Sequence, residues 1–457
     1  MGDFVYTFVS SAYFVERSWG HGTPRQGMKL LAELAHARRI PVTWLVNARS
    51  AREAADLLTP WHEQFGDEVG LYLGAPPEAR SGEEERAYFV RLSYQEMTRA
   101  IQAEARGVIA ALPWATLTLA GCGYRTSTMV AVLEDLGFDG LWGHCWEQAH
   151  VDNITDRGAP WGFYYASRDA YKAPARYPGK VVACEWTARD LNKAFRTGKP
   201  QVYSTDPNDA DNNALCTATD VSYWCALLDQ YHRNAAWNDF VPLLQHQEAH
   251  EMETETVYRG FTRETVERTA AMLERFFAYV AALGEPGGVA DVSVMSLPAA
   301  LAEFKRRFQR QPATYMLFAD IPVAADPSGP WPEVLVYCDE ACQLFFDRDN
   351  PLPVAARNYL AAGDTEAVEF AAEEALPEVS IEQSAGAQDS KTITISARSH
   401  KPARYAVALW GDYARADVQA PARVRTHLLG REALLVSFDL DDSPLRFELR
   451  FAPAARL

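Results

Sequence analysis

The chain has 457 residues, 48% apolar and 23% charged, enough for about two or three folded domains, and a balance that excludes a disordered tract or a small stapled scaffold. Lys and Arg number 44 against 61 Asp and Glu, a formal charge of −17, and so acidic a surface repels phosphate backbones and anionic headgroups, which excludes nucleic-acid and membrane partners. Seven cysteines with no CxxC pair predict free thiols in a reducing compartment, and with no apolar run of about 18 residues the expectation is a cytoplasmic protein.

Seven short runs rich in β-branched and aromatic residues stand at wide intervals, at 4–9, 42–46, 68–73, 116–119, 140–145, 181–186 and 240–245. Helical periodicity separates them. Residues 28–37 place Leu30, Leu31, Leu34 and Ala35 on one face, and Ser93 followed by Glu96 opens a second helix with a capping box that runs to about Leu112. Strand and helix in alternation predict a right-handed parallel sheet, and seven units close most naturally as an incomplete (β/α)7 barrel over 1–310. No glycine follows the first strand, where Val9-Ser10-Ser11-Ala12-Tyr13 stands, so a dinucleotide-binding sheet is disfavoured. Long stretches at 149–178 and 194–213 are read as loops that wall a site. Helices follow to about Leu283 and over 297–308. From 311 to 457 the pattern shortens to alternating runs at 315–318, 333–337, 392–396, 405–410, 434–440 and 446–451, with a loop tip at 384–390, which predicts an antiparallel β-sandwich.

In order and wording, VYTFVSSAYF (5–14), PVTWLVNA (41–48), GDEVGLYLGA (66–75), LSYQEMTRAIQAEARGVI (92–109) and GYRTSTMVAVLEDLGFDGLW (123–142) resemble the first elements of the polysaccharide deacetylase, or NodB-like, superfamily. The resemblance implies an incomplete barrel of the kind shared by sugar deacetylases and several glycoside hydrolases. It also implies a metal site that this chain lacks, because Val9-Ser10-Ser11 replaces the paired aspartates and Ala75-Pro76-Pro77 the histidines, and neither segment offers the donors zinc requires. Arg125 survives from that constellation. The segment CWEQAHVDNITDRGAPWGFYY (145–165) and the C-terminal part are similar to a bacterial family of unknown function that joins such a barrel to a β-sandwich.

In such barrels the reacting groups lie at the carboxyl ends of the strands. His144, Trp146, Glu147, Asp152, Asp156 and Arg157 follow the fifth strand, Glu185, Trp186, Arg189 and Asp190 end or follow the sixth, and His246, Glu248, His250 and Glu251 the seventh. Glycoside hydrolysis needs two carboxyls, one protonated and one ionised. Glu185, between Cys184 and Trp186, is the first candidate for the acid, with Glu147 or Glu248 as its partner. Pairing of two of the three with Arg125, Arg157 or Arg189 is the structural alternative. If His246-Gln247-Glu248-Ala249-His250 is extended, its three ligand-type residues share a face; if helical, Gln247 stands where the zinc-protease motif needs Glu. Neither metal nor cofactor is expected. Trp142, Trp146, Trp161, Trp186 and Trp224, with Tyr164, Tyr165 and Tyr203, are candidate sugar platforms as well as candidate packing, and the Asp and Asn residues at 206–213 are read as turn chemistry. The sequence thus predicts a glycosidic hydrolase acting on an oligosaccharide or glycoside. The alternatives are an inactive saccharide-binding barrel, or a deacetylase with a relocated metal at His246 and His250.

Overall fold

The computed structural model describes residues 3–12, 23–74, 82–122, 125–144, 160–197, 202–254, 262–283, 292–324, 329–359, 377–385, 391–413 and 416–453. The first strand, β1 (Asp3–Ser11), is buried from Phe4 onward, as a parallel strand covered on both faces must be. Phe4, Tyr6 and Phe8 face the surrounding helices, while Val5 and Val9 face inward. The other strands of this sheet are β2 (Val42–Val46), β3 (Glu68–Tyr72), β4 (Leu119–Gly121), β5 (Gly140–His144), β6 (Phe163–Tyr165), β7 (Val182–Glu185), β8 (Phe240–His246) and β9 (Val292–Val294). Between them lie α1 (Arg25–His36), α2 (Ala48–Glu53), α3 (Ala55–Phe65), α4 (Gly82–Arg91), α5 (Tyr94–Ala111), α6 (Ser127–Leu136), α7 (Leu191–Thr197), α8 (Pro207–Asn212), α9 (Ser222–Asn234), a 3-10 turn (Ala249–Met252), α10 (Arg263–Leu283) and α11 (Leu297–Arg307).

The sheet order is β6-β7-β5-β4-β3-β2-β1-β8, with β9 also on β1. The seven expected strands are its parallel staves, and the fourth starts at Leu119 rather than 116. The edges β6 and β8 meet through the rings of Phe163 and Phe240, 5.7 Å apart. Higher up, the amide of Ala188 donates to the Leu244 carbonyl at 2.8 Å. The barrel is thus nearly closed without a continuous ladder. Two strands depart from the sequence reading: β6 lies inside the stretch expected to be loop and runs antiparallel to β7, and β9 was not expected. Each has only three residues, too few to show a period.

One end of the barrel is plugged. Leu297, Ala300, Leu301 and Phe304 of α11 enter the inner apolar cluster, and the Leu297 amide donates to Thr43 Oγ1 at 2.8 Å. Ser296 bonds Glu68, Lys305 pairs with Asp139 and Arg307 with Asp3. All four strand-side groups stand at amino ends, so among the described residues α11 closes the amino end of the barrel and leaves the carboxyl end for a site. There, the 3-10 turn lies on α1: a Cβ on Gly27 would overlap the carbonyl oxygen of Ala249. Gly27→Ala should therefore cost about 1–3 kcal/mol by overpacking. Urea unfolding checks this, and an unchanged midpoint would show that the turn yields freely.

The C-terminal part forms three antiparallel sheets from β10 (Thr314–Phe318), β11 (Val334–Cys338), β12 (Cys342–Asp347), β13 (Pro353–Asn358), β14 (Glu378–Ala385), β15 (Lys391–Arg398), β16 (Ala403–Trp410), β17 (Ala416–Gln419), β18 (Val424–Leu429), β19 (Ala433–Leu440) and β20 (Leu445–Pro453). Their orders are β10-β11-β12-β13, β14-β15-β20-β17 and β16-β19-β18. The first sheet is a shared layer. Met316, Phe318, Val334, Val336 and Phe345 belong to the barrel's outer cluster, while their neighbours Leu317, Leu335, Leu344 and Phe346 belong to the C-terminal one, the two faces of a period-2 pattern. The six described cysteines are free. Among the described residues no helix is long and apolar enough to cross a membrane.

Candidate functional site at the carboxyl end of the barrel

β8 pairs with β1 in register, Val9 opposite His246, which turns the imidazole to the inner face. His246 is fully buried there, its Nε2 3.4 Å from Ser11 Oγ. The indoles of Trp142 and Trp186 lie beside it, ring centres at 4.8 and 5.5 Å. Burial and the neighbouring His250 push its pKa down to about 3, so the ring is neutral. Among the described residues neither His246 Nδ1 nor Trp142 Nε1 has a hydrogen-bond partner. Two such atoms at the mouth of one barrel mark a place where a polar ligand would be held.

After His246 the chain is neither extended nor helical throughout. The Gln247 amide still donates to Val9, Glu248 turns the corner, and the 3-10 turn follows. That turn folds Glu251 back against Glu248, and the two carboxyls are in hydrogen-bond contact. Glu251 is buried, and its Oε2 accepts from Gln247 Nε2 at 2.8 Å and from Asn208. Burial first, then the charges of Glu248 and Asp206, hold its pKa well above the carboxylate range. Two carboxyls in such contact share one proton. Glu248 remains half-buried, which leaves it open to solvent. His250, also buried and pushed down to about 3 by burial, brings a third ligand-type group: donor atoms of Glu248, His250 and Glu251 lie within 4.8 Å of one another.

Glu185 belongs to another neighbourhood. Cys184 and Trp186 face the inner cluster, so alternation turns Glu185 the other way. It accepts from the Gly162 amide, and its Oε2 has no partner among the described residues. Burial outweighs that bond and the charge of Arg189, and raises its pKa to about 7. Arg189 lies over the Trp186 ring at 5.3 Å. Asp190 is fully buried as well, and accepts from the Lys193 amide at 3.0 Å and the Tyr223 hydroxyl at 3.2 Å. Burial raises its pKa to about 6. Arg125 is buried with its guanidinium on the Cys122 carbonyl at 2.7 Å. His144 ends β5, in register with Glu185. Trp146, Glu147, Asp152, Asp156 and Arg157 lie outside the described residues.

Of the candidate rings, Trp142, Trp161, Trp186, Trp224, Tyr164, Tyr165 and Tyr203 are all buried, the packing alternative of the two readings, and Trp146 lies outside the described residues. Asp206 caps α8, accepting from the amides of Asn208 and Asp209 at 2.9 and 3.1 Å, the turn chemistry expected. The metal position implied by the resemblance does not fit: the carboxyl end of β1 offers Val9 and Ser11 to the interior and no anionic oxygen. Glu251 is named by the sequence among the groups after the last barrel strand but is given no role there, because nothing in the sequence shows the turn that folds it onto Glu248.

No protein-family model matches the chain, and no curated protein matches it. Solved structures do. A "putative glycoside hydrolase/deacetylase" of Parabacteroides distasonis superposes with a TM-score of 0.55 at 14% identity, over 75% of this chain and 81% of that one. A polysaccharide deacetylase, likewise so qualified, from Mycobacterium smegmatis gives 0.37 at 13%, over 67% and 91%, and a family 4 carbohydrate esterase from Streptomyces lividans 0.29 at 10%, over 62% and 89%. At such identity the first of these likenesses shows the fold alone: this chain shares its barrel fold with the Parabacteroides distasonis protein.

Proposed function

We propose that the protein is a carbohydrate-active hydrolase that cleaves a glycosidic bond at the carboxyl end of its barrel, the domain at 1–310. The observation that carries this is the contact of the Glu248 and Glu251 carboxyls, whose donor atoms lie within 4.8 Å of each other at the barrel end opposite α11. The proton held on buried Glu251 passes through its contact with half-buried Glu248 to the leaving oxygen. Glu251 keeps it available at neutral pH, and neutral His246 between two indoles holds a sugar hydroxyl. Glu147, which follows β5 in the chain, is the second carboxyl the reaction needs. The name carried by the Parabacteroides distasonis protein of the same fold includes this reaction class.

A second reading, a sugar deacetylase with a relocated metal, is favoured by the closeness of the donor atoms of Glu248, His250 and Glu251. Aryl glycosides, acetylated sugars and natural oligosaccharides incubated with the protein, with and without EDTA, separate the two. Sugar release that persists in EDTA is the expected result. Acetate release abolished by EDTA would transfer the cluster to the metal reading. No release from a broad panel would overturn both and leave an inactive saccharide-binding barrel.

A further inference from the structure

A cavity of about 250 Å³ lies between the first and third antiparallel sheets, just below the ~300–1,000 Å³ typical of ligand pockets and of a size for one sugar ring. Its floor is a stacked pair: the rings of Tyr315 and His427 are 3.7 Å apart and 4° from parallel. His427 is hydrogen-bonded to the Trp237 backbone, and only its ring N–H can donate to a carbonyl. The other nitrogen, Nε2, is then an acceptor; it is buried and, among the described residues, has no partner. A buried acceptor of this kind is completed by a hydroxyl from a ligand.

The walls carry three guanidinium groups in a chain whose net charge is −17. Arg404 is fixed by Asp339 at 2.9 Å and Asp439 at 2.8 Å. Arg425 is 3.5 Å from Asp439 and 54% exposed, and Arg310 is 3.9 Å from Glu340 and 57% exposed, so both keep donors to spare. The carboxylate of Asp339 has no such surplus: it accepts from the amides of Ala341 and Cys342 at 2.7 and 2.9 Å, from the Tyr337 hydroxyl at 2.5 Å and from Arg404. The cavity therefore offers unfilled cationic donors and one hydroxyl acceptor over an aromatic floor.

We propose that this cavity binds a carboxylate-bearing sugar, a hexuronic acid residue, at a saccharide site separate from the barrel end. The carboxylate bridges Arg425 and Arg310 in charge-assisted bonds, and a ring hydroxyl donates to His427 Nε2. The sugar part of the assignment draws on the function proposed above; the carboxylate part stands on the arginines. The test is calorimetric titration of the full chain with glucuronate, galacturonate, glucose, acetate and inorganic phosphate. Arg425→Ala removes the exposed guanidinium, and His427→Phe keeps the stacked ring while deleting the acceptor. The expected result is saturable uronate binding, no glucose binding, and at least a tenfold loss in each variant, with hydrolysis at the barrel end unchanged. Uronate binding equal in wild type and both variants, absence of saturable uronate binding, or acetate and phosphate as tight as uronate would each overturn it. Because binding is read without turnover, its failure is distinct from failure of the proposed hydrolysis.

Discussion

Glu248→Gln should lower kcat for glycoside release by about 10²–10⁴-fold, the usual contribution of a positioned general acid, with KM little changed. Glutamine keeps the shape of the protonated carboxyl and its contact with Glu251, so thermal unfolding should stay near wild type. Glu251→Gln is the more informative partner. In the wild type the two carboxyls share a proton, and the buried member titrates well above the carboxylate range. The acid form therefore persists into neutral pH, and activity is lost as pH rises through the upper titration of the pair. With Glu251 neutral at every pH, the repulsion that raised this titration is gone, and Glu248 loses its proton at lower pH. Activity at pH 7 should fall steeply and return on acidification, the alkaline limb of the profile having moved toward the carboxylate range. A purely structural role for Glu251 would lower activity at every pH alike and leave that limb in place.

The barrel is legible in the sequence because its strands are buried on both faces. Residues 4–9 or 240–245 read as largely apolar runs between helical periods, and the structure places them in β1 and β8. Legibility fails where a strand is short or wet. β6 and β9 have three residues each, and β14 is exposed along most of its length, so its sequence carries no apolar alternation. β12, β13, β17 and β18 were also missed, none longer than six residues. In the site, strand-end position singled out His246, Glu248 and His250. The burial of Glu185 was equally legible from Cys184 and Trp186, but not the side of the barrel it faces, because alternation fixes that side only once Cys184 and Trp186 are known to lie in the inner cluster. Ring counts cannot separate a platform from a core: Trp224 is fully buried against Phe276.

Glu185→Gln should leave hydrolysis intact and make the protein more stable at alkaline pH, by on the order of 3 kcal/mol, the value of lifting a carboxyl from about 4.5 to about 7. The direction follows from where the proton sits. A carboxyl whose folded pKa is raised contributes fully below its unfolded value, and that contribution is lost as pH rises through about 7, when folding must bury a carboxylate. Glutamine, a neutral isostere that still accepts from the Gly162 amide, carries no such dependence. Wild type and variant should therefore have similar urea midpoints near pH 4, diverge between about 4.5 and about 7, and keep a constant gap at higher pH. The acid limb belongs to other groups. His246 and His250, both pushed down to about 3, contribute fully above about pH 6.5 and lose that contribution as pH falls toward 3, because the unfolded chain takes up the protons first. Glu185→Gln leaves that loss untouched, whereas His250→Gln should reduce it. If Glu185→Gln instead abolishes turnover while gaining alkaline stability, the carboxyl reaches the substrate from the far side of β7, and the acid of the reaction is Glu185 rather than Glu248.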